Sequence, residues 1–585
     1  LNYTPYHVHS DLSILDSATK SKMYIEKVKE LGIKAFGESN HGNIFNWVKR
    51  KQMTEEAGIK YIHAQEFYIT ETLQEKIRDN YHTILIAKNW EGVKELNKLS
   101  SVAYNRQDNH FYYDPRISID ELLSTSNNII VTSACLASPL WKGKDKNIYN
   151  KYLQFFITNK HRCFLEIQYH NCNEQKEYNK QLYELHRKYD IPLIAGTDTH
   201  SINQDYAEAR KILMQAKNIA FTNEDTFDLT FKSYDELVET FKEQNVLPMN
   251  IILEAIENTN VMADMIEEFT LDTTPKYPKL YDNSEEVFKQ KIQKGIKKRS
   301  IDKLDEKTKQ IYMNRINYEY EVYKKCGAID YMLMQKDIID WCHKNNIWQG
   351  YSRGSVSGSL VAYVLGITEA DSIKYNLNFE RFMNPERVSL PDIDVDYPPS
   401  QRDKVKKYVF NKPNIHCADI ITFNTIALKG AIRDVARALK IPLNEVNYIC
   451  NNIDKQEEEF RKLYPKLFKY VDLLNGVNTS VGFHPCGSIT SPITLEDNIG
   501  LFTTSTDEYP ISQINMKEID SLNYVKLDLL ALDNIEIINE TCKLAKIKRL
   551  TPDNVDTNDE KVWNSILESN LGIFQWEGNK DCSIQ

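Results

Sequence analysis

Short apolar runs alternate with helical stretches through the first 250 residues. YHVHS, KAFGES, YIHAQEFYI, TILIAK, NIIVTSAC, CFLEIQ and PLIAGTDTH read as strands, and SKMYIEKVKELG and NKQLYELHRKYD as helices between several of them. Repeated β/α alternation over this length predicts a barrel-like α/β domain. From about 215 to 330 the chain turns lysine- and glutamate-rich, with helical patterns such as SEEVFKQKIQKGIKKRS whose charges belong to solvated faces. A Gly/Ser loop from Gly350 to Ser359 then leads into an apolar helix, Ser359 to Leu365. Further on, PDIDVD reads as a strand carrying Asp392 and Asp394 on one face, and YVKLDLL as one carrying Lys526 and Asp528 together. Between these two, ITFNTIALKGAIRDVARALK reads as an amphipathic helix with Lys429, Arg433 and Arg437 every four residues along one side.

Composition narrows the class. A chain of 585 residues is long enough for three or four domains, and 41% hydrophobic with 27% charged residues is ordinary globular usage. No apolar run approaches the roughly 18 residues of a membrane span and no signal peptide opens the sequence. Ten cysteines without a C-x-x-C pair point to a reducing cytoplasm rather than a disulfide framework or zinc ribbon. A net charge of −10 runs against nucleic-acid binding, but a local basic surface suffices for that.

Two groups of residues carry chemistry. His7 and His9, spaced i,i+2, face one side of the first strand, and Asp198 and His200 repeat the arrangement on the last. Asp16, His41, Glu66 and Cys135 follow or close other strands, where barrel folds gather their chemistry; His82 precedes its strand and is the exception. Mixed imidazole, carboxylate and thiolate ligation suits zinc, manganese or iron better than magnesium alone. A lone histidine is ordinarily a surface or core residue, and His63, His110, His161 and His170 are read so. The second group is Asp392, Asp394 and the distant Asp528. Paired carboxylates repel unless a cation lies between them, and hard oxygen ligands favour magnesium. With a Gly/Ser loop and helix start offering N–H groups to phosphates, these are the parts of a two-metal phosphoryl-transfer site.

Both groups sit in motifs that resemble one family. HVHSDLSILD, NHGN, AQEFYI and GTDTH resemble the motifs of the polymerase-and-histidinol-phosphatase (PHP) domain at the N-terminus of bacterial replicative DNA polymerase III alpha subunits, the C-family polymerases. The family's nine ligand positions fall on His7, His9, Asp16, His41, Glu66, His82, Cys135, Asp198 and His200, for zinc or manganese; Asn40 stands where the family usually has Asp. YSRGSVSGS, FERFMNPERV, PDID and VKLD in this order resemble the same family's polymerase beta-like palm. The resemblance implies that Asp392, Asp394 and Asp528 hold two magnesium ions, that Gly354 and Ser355 cradle the triphosphate, and that Arg353 and Lys526 offset its charge. Arg381 and Arg387 are further phosphate or bracing candidates, and Tyr351-Ser352 replaces the usual Pro-Gly.

TFNT followed by Lys429, Arg433 and Arg437 resembles the thumb, each cation able to meet a DNA phosphate. His484 and Gly487 match a His-Ala-Gly-Gly-like turn on returning to the palm. The implied fold is α/β multidomain: a distorted β/α barrel (PHP) with linker over 1–264, an α+β nucleotidyltransferase palm over 265–421 and 484–533, a helical thumb over 422–483, and the start of helical fingers over 534–585. The implied function is template-directed DNA synthesis on primer-template DNA with deoxynucleoside triphosphates. A C-terminal polymerase piece, a sliding clamp and other replisome subunits are the implied partners, with no membrane. Two other readings stay open: a metal-dependent 3′–5′ exonuclease or phosphoesterase with the palm only binding DNA, and an inactive DNA-binding fragment. Relatives continue for several hundred residues, so the chain is expected to be a fragment or one half of a split polymerase.

Overall fold

The computed structural model describes residues 2–219, 227–384, 386, 392–506 and 508–574. The chain divides into two compact units: Leu1–Asp272 with Asp419–His484 and Thr494–Ser521, and Thr273–Ala418 with Pro485–Ile493 and Leu522–Gln585. Among the described residues, no helix is long and apolar enough to cross a membrane.

The first unit is built on a curled eight-stranded sheet. Its strands are β1 (Ala35–Glu38), β2 (Lys60–Thr70), β3 (Tyr81–Ala87), β4 (Phe111–Tyr112), β5 (Asp114–Ser118), β6 (Ile129–Thr132), β7 (Cys163–Ile167) and β8 (Leu193–Ala195). They lie in the order β4-β5-β2-β3-β6-β7-β8, with β1 paired to β2. Isoleucines dominate the faces that meet inside, so Ile62, Ile84, Ile86, Ile130 and Ile194 pack with Tyr6 and Phe164 in one core. Fully burying each such side chain contributes about 1.5–3 kcal/mol.

Two features depart from a regular β/α alternation. First, β3 runs antiparallel to both neighbours, β2 and β6. Second, YHVHS forms no regular strand. Its Val8 makes an isolated bridge to Thr199, and backbone bonds tie residues 5–9 to both sides: Gly37 N to Pro5 O (3.0 Å), Ser39 N to Val8 O (2.9 Å) and His9 N to Thr199 O (2.7 Å). The N-terminal segment thus stitches β1 to the stretch after β8, which brings the ends of distant strands to one place.

Three helices of the same unit, Leu428–Ala438, Leu443–Leu463 and Pro465–Leu474, pack through Ile432, Val435, Ile449 and Phe468. Ala209 and Leu213 of helix Gln204–Ala216 join that cluster.

In the second unit, helices Ser284–Lys298, Glu306–Lys325, Ile329–Lys344 and Leu360–Leu365 share a core with Val525, Leu527 and Leu529. Gly295 permits a close approach of two of them, since a Cβ there would stand 2.2 Å from the Val364 carbonyl oxygen. β9 (Asp394–Tyr397) pairs in parallel with strand Val525–Ala531, Asp394 opposite Asp528. On its other side Val525–Ala531 pairs antiparallel with the end of Asn478–Ser491, Asp528 opposite Gly487. Asp392 lies before β9 rather than in it, so the strand carries only the second of the expected Asp-x-Asp pair. Residues 484–487, expected as a turn, lie inside the extended strand Asn478–Ser491.

Candidate metal centre and catalytic carboxylates

Glu66, on β2, is the hub of the first unit's polar cluster. Its Oε2 lies 3.5 Å from His7 Nε2, 3.2 Å from His9 Nε2 and 3.2 Å from His41 Nδ1, and its Oε1 lies 3.0 Å from His82 Nδ1. Asp198 Oδ1 reaches His7 Nε2 at 3.2 Å and His9 Nε2 at 3.5 Å. Asp16 Oδ2 meets His41 Nε2 at 3.2 Å and His200 Nε2 at 3.1 Å. Cys135 Sγ stands 3.6 Å from His82 Nδ1 and 3.9 Å from Glu66 Oε1. All nine residues singled out in the sequence therefore converge. His82 is no exception after all: it sits within β3, and because β3 runs backwards its start lies beside Tyr68 near the end of β2.

The donor set fits divalent metal ions. Ligands about 2.0–2.2 Å from a tetrahedral ion stand roughly 3.3–3.6 Å apart; His7–Glu66 and His9–Asp198 stand at 3.5 Å, and most of the other nitrogen–oxygen pairs are slightly closer, at 3.0–3.2 Å. Three overlapping groups, His9/His41/His200, His7/His9/Glu66 and His41/Glu66/His82, each bring their ligand atoms within 4.8 Å. Four buried atoms of the cluster, His7 Nε2, His9 Nε2, His41 Nδ1 and Glu66 Oε2, make no hydrogen bond, which is costly unless something else satisfies them.

Outer partners fix the rings. His7 Nδ1 donates to Glu166 Oε1 (2.5 Å), His9 Nδ1 to Ser13 Oγ (3.1 Å) and His200 Nδ1 to the Asp198 carbonyl (2.9 Å), which turns each Nε2 toward the cluster. Ser13 Oγ in turn donates to Asn40 Oδ1 (2.9 Å), which also accepts from Ser10 N (2.9 Å). Asn40 therefore supplies the same acceptor an aspartate would, and donates to Glu38 Oε2 besides (3.2 Å). Sequence reasoning missed Glu166 and Arg210. Arg210 clamps Asp16 through Nη2 to Oδ1 (2.5 Å) and Nε to the carbonyl (2.6 Å).

Electrostatics follow the same logic. Burial opposes charge on His7, yet Glu166, Asp198 and Glu66 together outweigh it and lift its pKa well above the ordinary value. Burial likewise opposes charge on Asp198, but the neighbouring histidines hold its carboxyl well below the usual range. The cluster demands positive charge at its centre, from protons or from metal. Above it opens a cavity of about 680 Å³ walled by Phe45, Tyr68, Tyr104, Leu15 and Val481.

In the second unit the aspartates are arranged more loosely. Asp394 and Asp528 occupy paired positions on adjacent strands, about 4.8 Å apart in the backbone. Asp392 turns its Oδ2 to Lys526 Nζ at 3.4 Å, and Lys526 and Asp528 share one face of their strand. Asp396 is engaged elsewhere: Arg353 Nη1 donates to its Oδ1 at 3.0 Å and Gly350 N to its carbonyl at 2.7 Å.

The Gly/Ser loop touches these carboxylates directly. Gly354 adopts φ +66° and ψ −158°, a region essentially closed to other residues, and a Cβ on it would stand 3.1 Å from Asp394 Oδ2. Ser355 opens a short 3-10 turn, Ser355–Gly358. Tyr351, where the family usually has proline, faces the Arg549 guanidinium at 4.7 Å. One expectation fails. The N–H groups at the start of helix Leu360–Leu365 are not open to phosphate: buried Glu319 accepts from Leu360 N and Val361 N, both 2.9 Å, while Ser359 Oγ accepts from Ala362 N. Glu319 and Ser359 Oγ leave the backbone N–H groups of the loop itself, 354–358, untaken.

The cationic helix is also partly diverted. Lys429 pairs with Asp454 (2.8 Å) and Arg437 donates to the Ala216 carbonyl (2.8 Å). Arg433 is exposed and makes no ion pair among the described residues, as is Arg381. Arg387 lies outside the described residues.

Comparison with known proteins matches two segments of the chain to family descriptions. Residues 5–170 match the PHP domain, and residues 286–531 match the bacterial DNA polymerase III alpha NTPase domain. Similar relatives include the DNA polymerase III subunit alpha of Aquifex aeolicus, 31% identical over 98% of this chain and 55% of the relative. Those of Borreliella burgdorferi (33%, 98% and 52%) and Helicobacter pylori strain 26695 (30%, 98% and 53%) are alike. The chain spans about half the length of the curated relatives it matches.

Proposed function

We propose that this chain, a homologue of the bacterial DNA polymerase III alpha subunits along 98% of its length, carries the nucleotidyl-transfer centre of a template-directed DNA polymerase. The observation that carries the proposal is the parallel register of Asp394 with Asp528 beneath a glycine that only fits against Asp394 Oδ2. Asp392, Asp394 and Asp528 would hold two magnesium ions, which when bound supply activation of the primer 3′-hydroxyl and neutralisation of the triphosphate. The chain's own part is positional. Gly354 and Ser355 present backbone N–H groups to the triphosphate, Lys526 offsets charge beside Asp392, and Arg353 braces the loop through Asp396. In this reading residues 265–421 and 484–533 form the palm, 422–483 the thumb and 534–585 the start of the fingers. Primer-template DNA, deoxynucleoside triphosphates and further replisome subunits are the partners. Magnesium-dependent extension of a labelled primer, alone or with a complementing C-terminal piece, tests the proposal. Extension that survives Asp394→Asn would refute it.

A second activity is favoured by the nine converging ligands from His7 to His200 and their four orphaned atoms. We propose that this cluster binds zinc or manganese and hydrolyses phosphoesters, DNA 3′ ends included. Digestion of a labelled single strand that persists in Asp392→Asn and vanishes in His9→Ala is the expected result; digestion unaffected by His9→Ala overturns it.

A further inference from the structure

The helix Pro399–Phe410 begins two residues after β9 and carries an unusual charge balance for so acidic a chain. Arg402, Lys404, Lys406, Lys407 and the following Lys412 face a single acid, Asp403. Lys404 and Lys407, three apart and so on one side of the helix, are exposed and have no ion pair among the described residues. They border a groove of about 540 Å³ that also takes in Trp341, Ile347 and Tyr408. Trp341 and Tyr408 stack at 4.4 Å with their planes 10° apart. Tyr408 is itself held rigid, its hydroxyl donating to Asp337 Oδ2 (2.8 Å) and Lys412 lying 4.5 Å from its ring. Lys412 also neutralises Asp337 at 2.6 Å, so the nearest acid adds no repulsion.

Free lysines beside a fixed aromatic wall are what a single-stranded nucleic acid requires. Phosphates meet the cations, and an unstacked base meets the partly exposed Trp341 ring that lines the groove, the Tyr408 ring being taken up by Trp341 and Lys412. A duplex offers phosphates but keeps its bases stacked, and would leave Trp341 unused. We propose that the Trp341–Tyr408 groove with Lys404 and Lys407 is a binding site for single-stranded DNA, holding template on the unit that carries the carboxylates of β9. The inference deepens the polymerase reading by placing a strand-binding surface in the same unit as Asp394; Lys429 and Arg437, in the first unit, are engaged by the protein itself.

The test is fluorescence anisotropy of a labelled oligo-dT 20-mer on the full chain, titrated over 50–300 mM NaCl. An abasic oligomer of equal length runs in parallel. Each single-strand phosphate contact contributes about 0.7 to the slope of log affinity against log salt. Lys404→Ala/Lys407→Ala should lower the slope by about 1.4 and affinity roughly 10-fold, and the wild-type chain should prefer oligo-dT over the abasic strand by about 10-fold. An unchanged slope in the double variant overturns the proposal, as does equal binding of the abasic strand. Displacement by polyglutamate as effective as by oligo-dT would assign the groove to an acidic protein partner and overturn it too. A wild-type chain that binds no DNA at all would sink the polymerase reading itself. Binding with an unchanged slope sinks only the groove.

Discussion

Replacing Glu166 by glutamine should loosen the metal centre without touching a ligand. The carboxylate is fully buried and accepts from four donors: His7 Nδ1 at 2.5 Å, and Tyr6 OH, Thr132 Oγ1 and Gln168 Nε2 each at 2.9 Å. Two of these donors converge on each oxygen, so a glutamine NH2 would confront either His7 with Gln168 or Tyr6 with Thr132. The charge that keeps the His7 proton on Nδ1 would also go. Loss of such an orienting partner typically costs 10–100-fold in metal affinity, or about 1.4–2.7 kcal/mol. Gly196→Ala makes the same perturbation from the other side, because its Cβ would stand 1.9 Å from Glu166 Oε1 and force the carboxylate away from His7. Competition for zinc between the apo chain and a chromophoric chelator reads the effect. The exposed Glu254→Gln serves as a control, and circular dichroism melting checks the fold. Zinc dissociation constants within twofold of wild type for both variants, with His9→Ala still defective, would refute the reasoning.

Three further outcomes follow from the geometry. Gly354→Ala should cost about 1–3 kcal/mol in backbone strain and displace Asp394 Oδ2 by a few tenths of an ångström, raising the apparent KM for nucleotide more than it lowers the melting temperature; unchanged nucleotide dependence would contradict it. Burial pushes the Glu518 carboxyl up to about 7, beneath the Lys49 and Asn515 N–H groups. The folded chain then keeps a proton that the unfolded chain loses near 4.5, so stability falls as pH rises from about 4.5 to 7, by up to about 3 kcal/mol. Glu518→Gln should lack that slope, and a wild-type-minus-variant difference independent of pH would rule it out. Stripping divalent metal with a chelator should lower the unfolding temperature of the first unit and zinc or manganese should restore it, since occupancy at 100 times Kd is worth about 2.7 kcal/mol; an unaltered melting curve is the contrary result.

Much of the metal centre was legible because its residues repeat a local rule. His7/His9 and Asp198/His200 announce themselves by i,i+2 spacing, though both pairs flank the isolated Val8–Thr199 bridge rather than lie in regular strands, and the motif resemblance adds Asp16, His41, Glu66, His82 and Cys135. What stayed hidden depends on contacts distant in sequence. Glu166 looks like one acid inside an apolar strand, CFLEIQ, and only folding sets it 2.5 Å from His7. The reversal of β3 that redeems His82 has no signature in YHTILIA, since strand direction is decided by pairing rather than by composition. Glu319 is the clearest failure of local reasoning. A Gly/Ser loop before an apolar helix reads as an anion site, yet an acid 41 positions before Leu360 already fills it. Lys429 and Arg437 have helical periodicity suited to DNA, but their partners Asp454 and Ala216 lie on other helices.

The filled helix start has a consequence for what the loop discriminates. Asp392, Asp394, Asp396 and Asp528 lie on or beside one pair of strands, where Arg353 and Lys526 only partly offset them. A bare polyanion arriving there meets net repulsion, with no macrodipole left over to draw it in. In the proposed reading, a triphosphate escorted by its own divalent counterions reverses that field. In the proposed polymerase reading the site thereby turns away free pyrophosphate, sulfate and chelator-stripped nucleotide, and magnesium supply sets how readily a triphosphate is admitted.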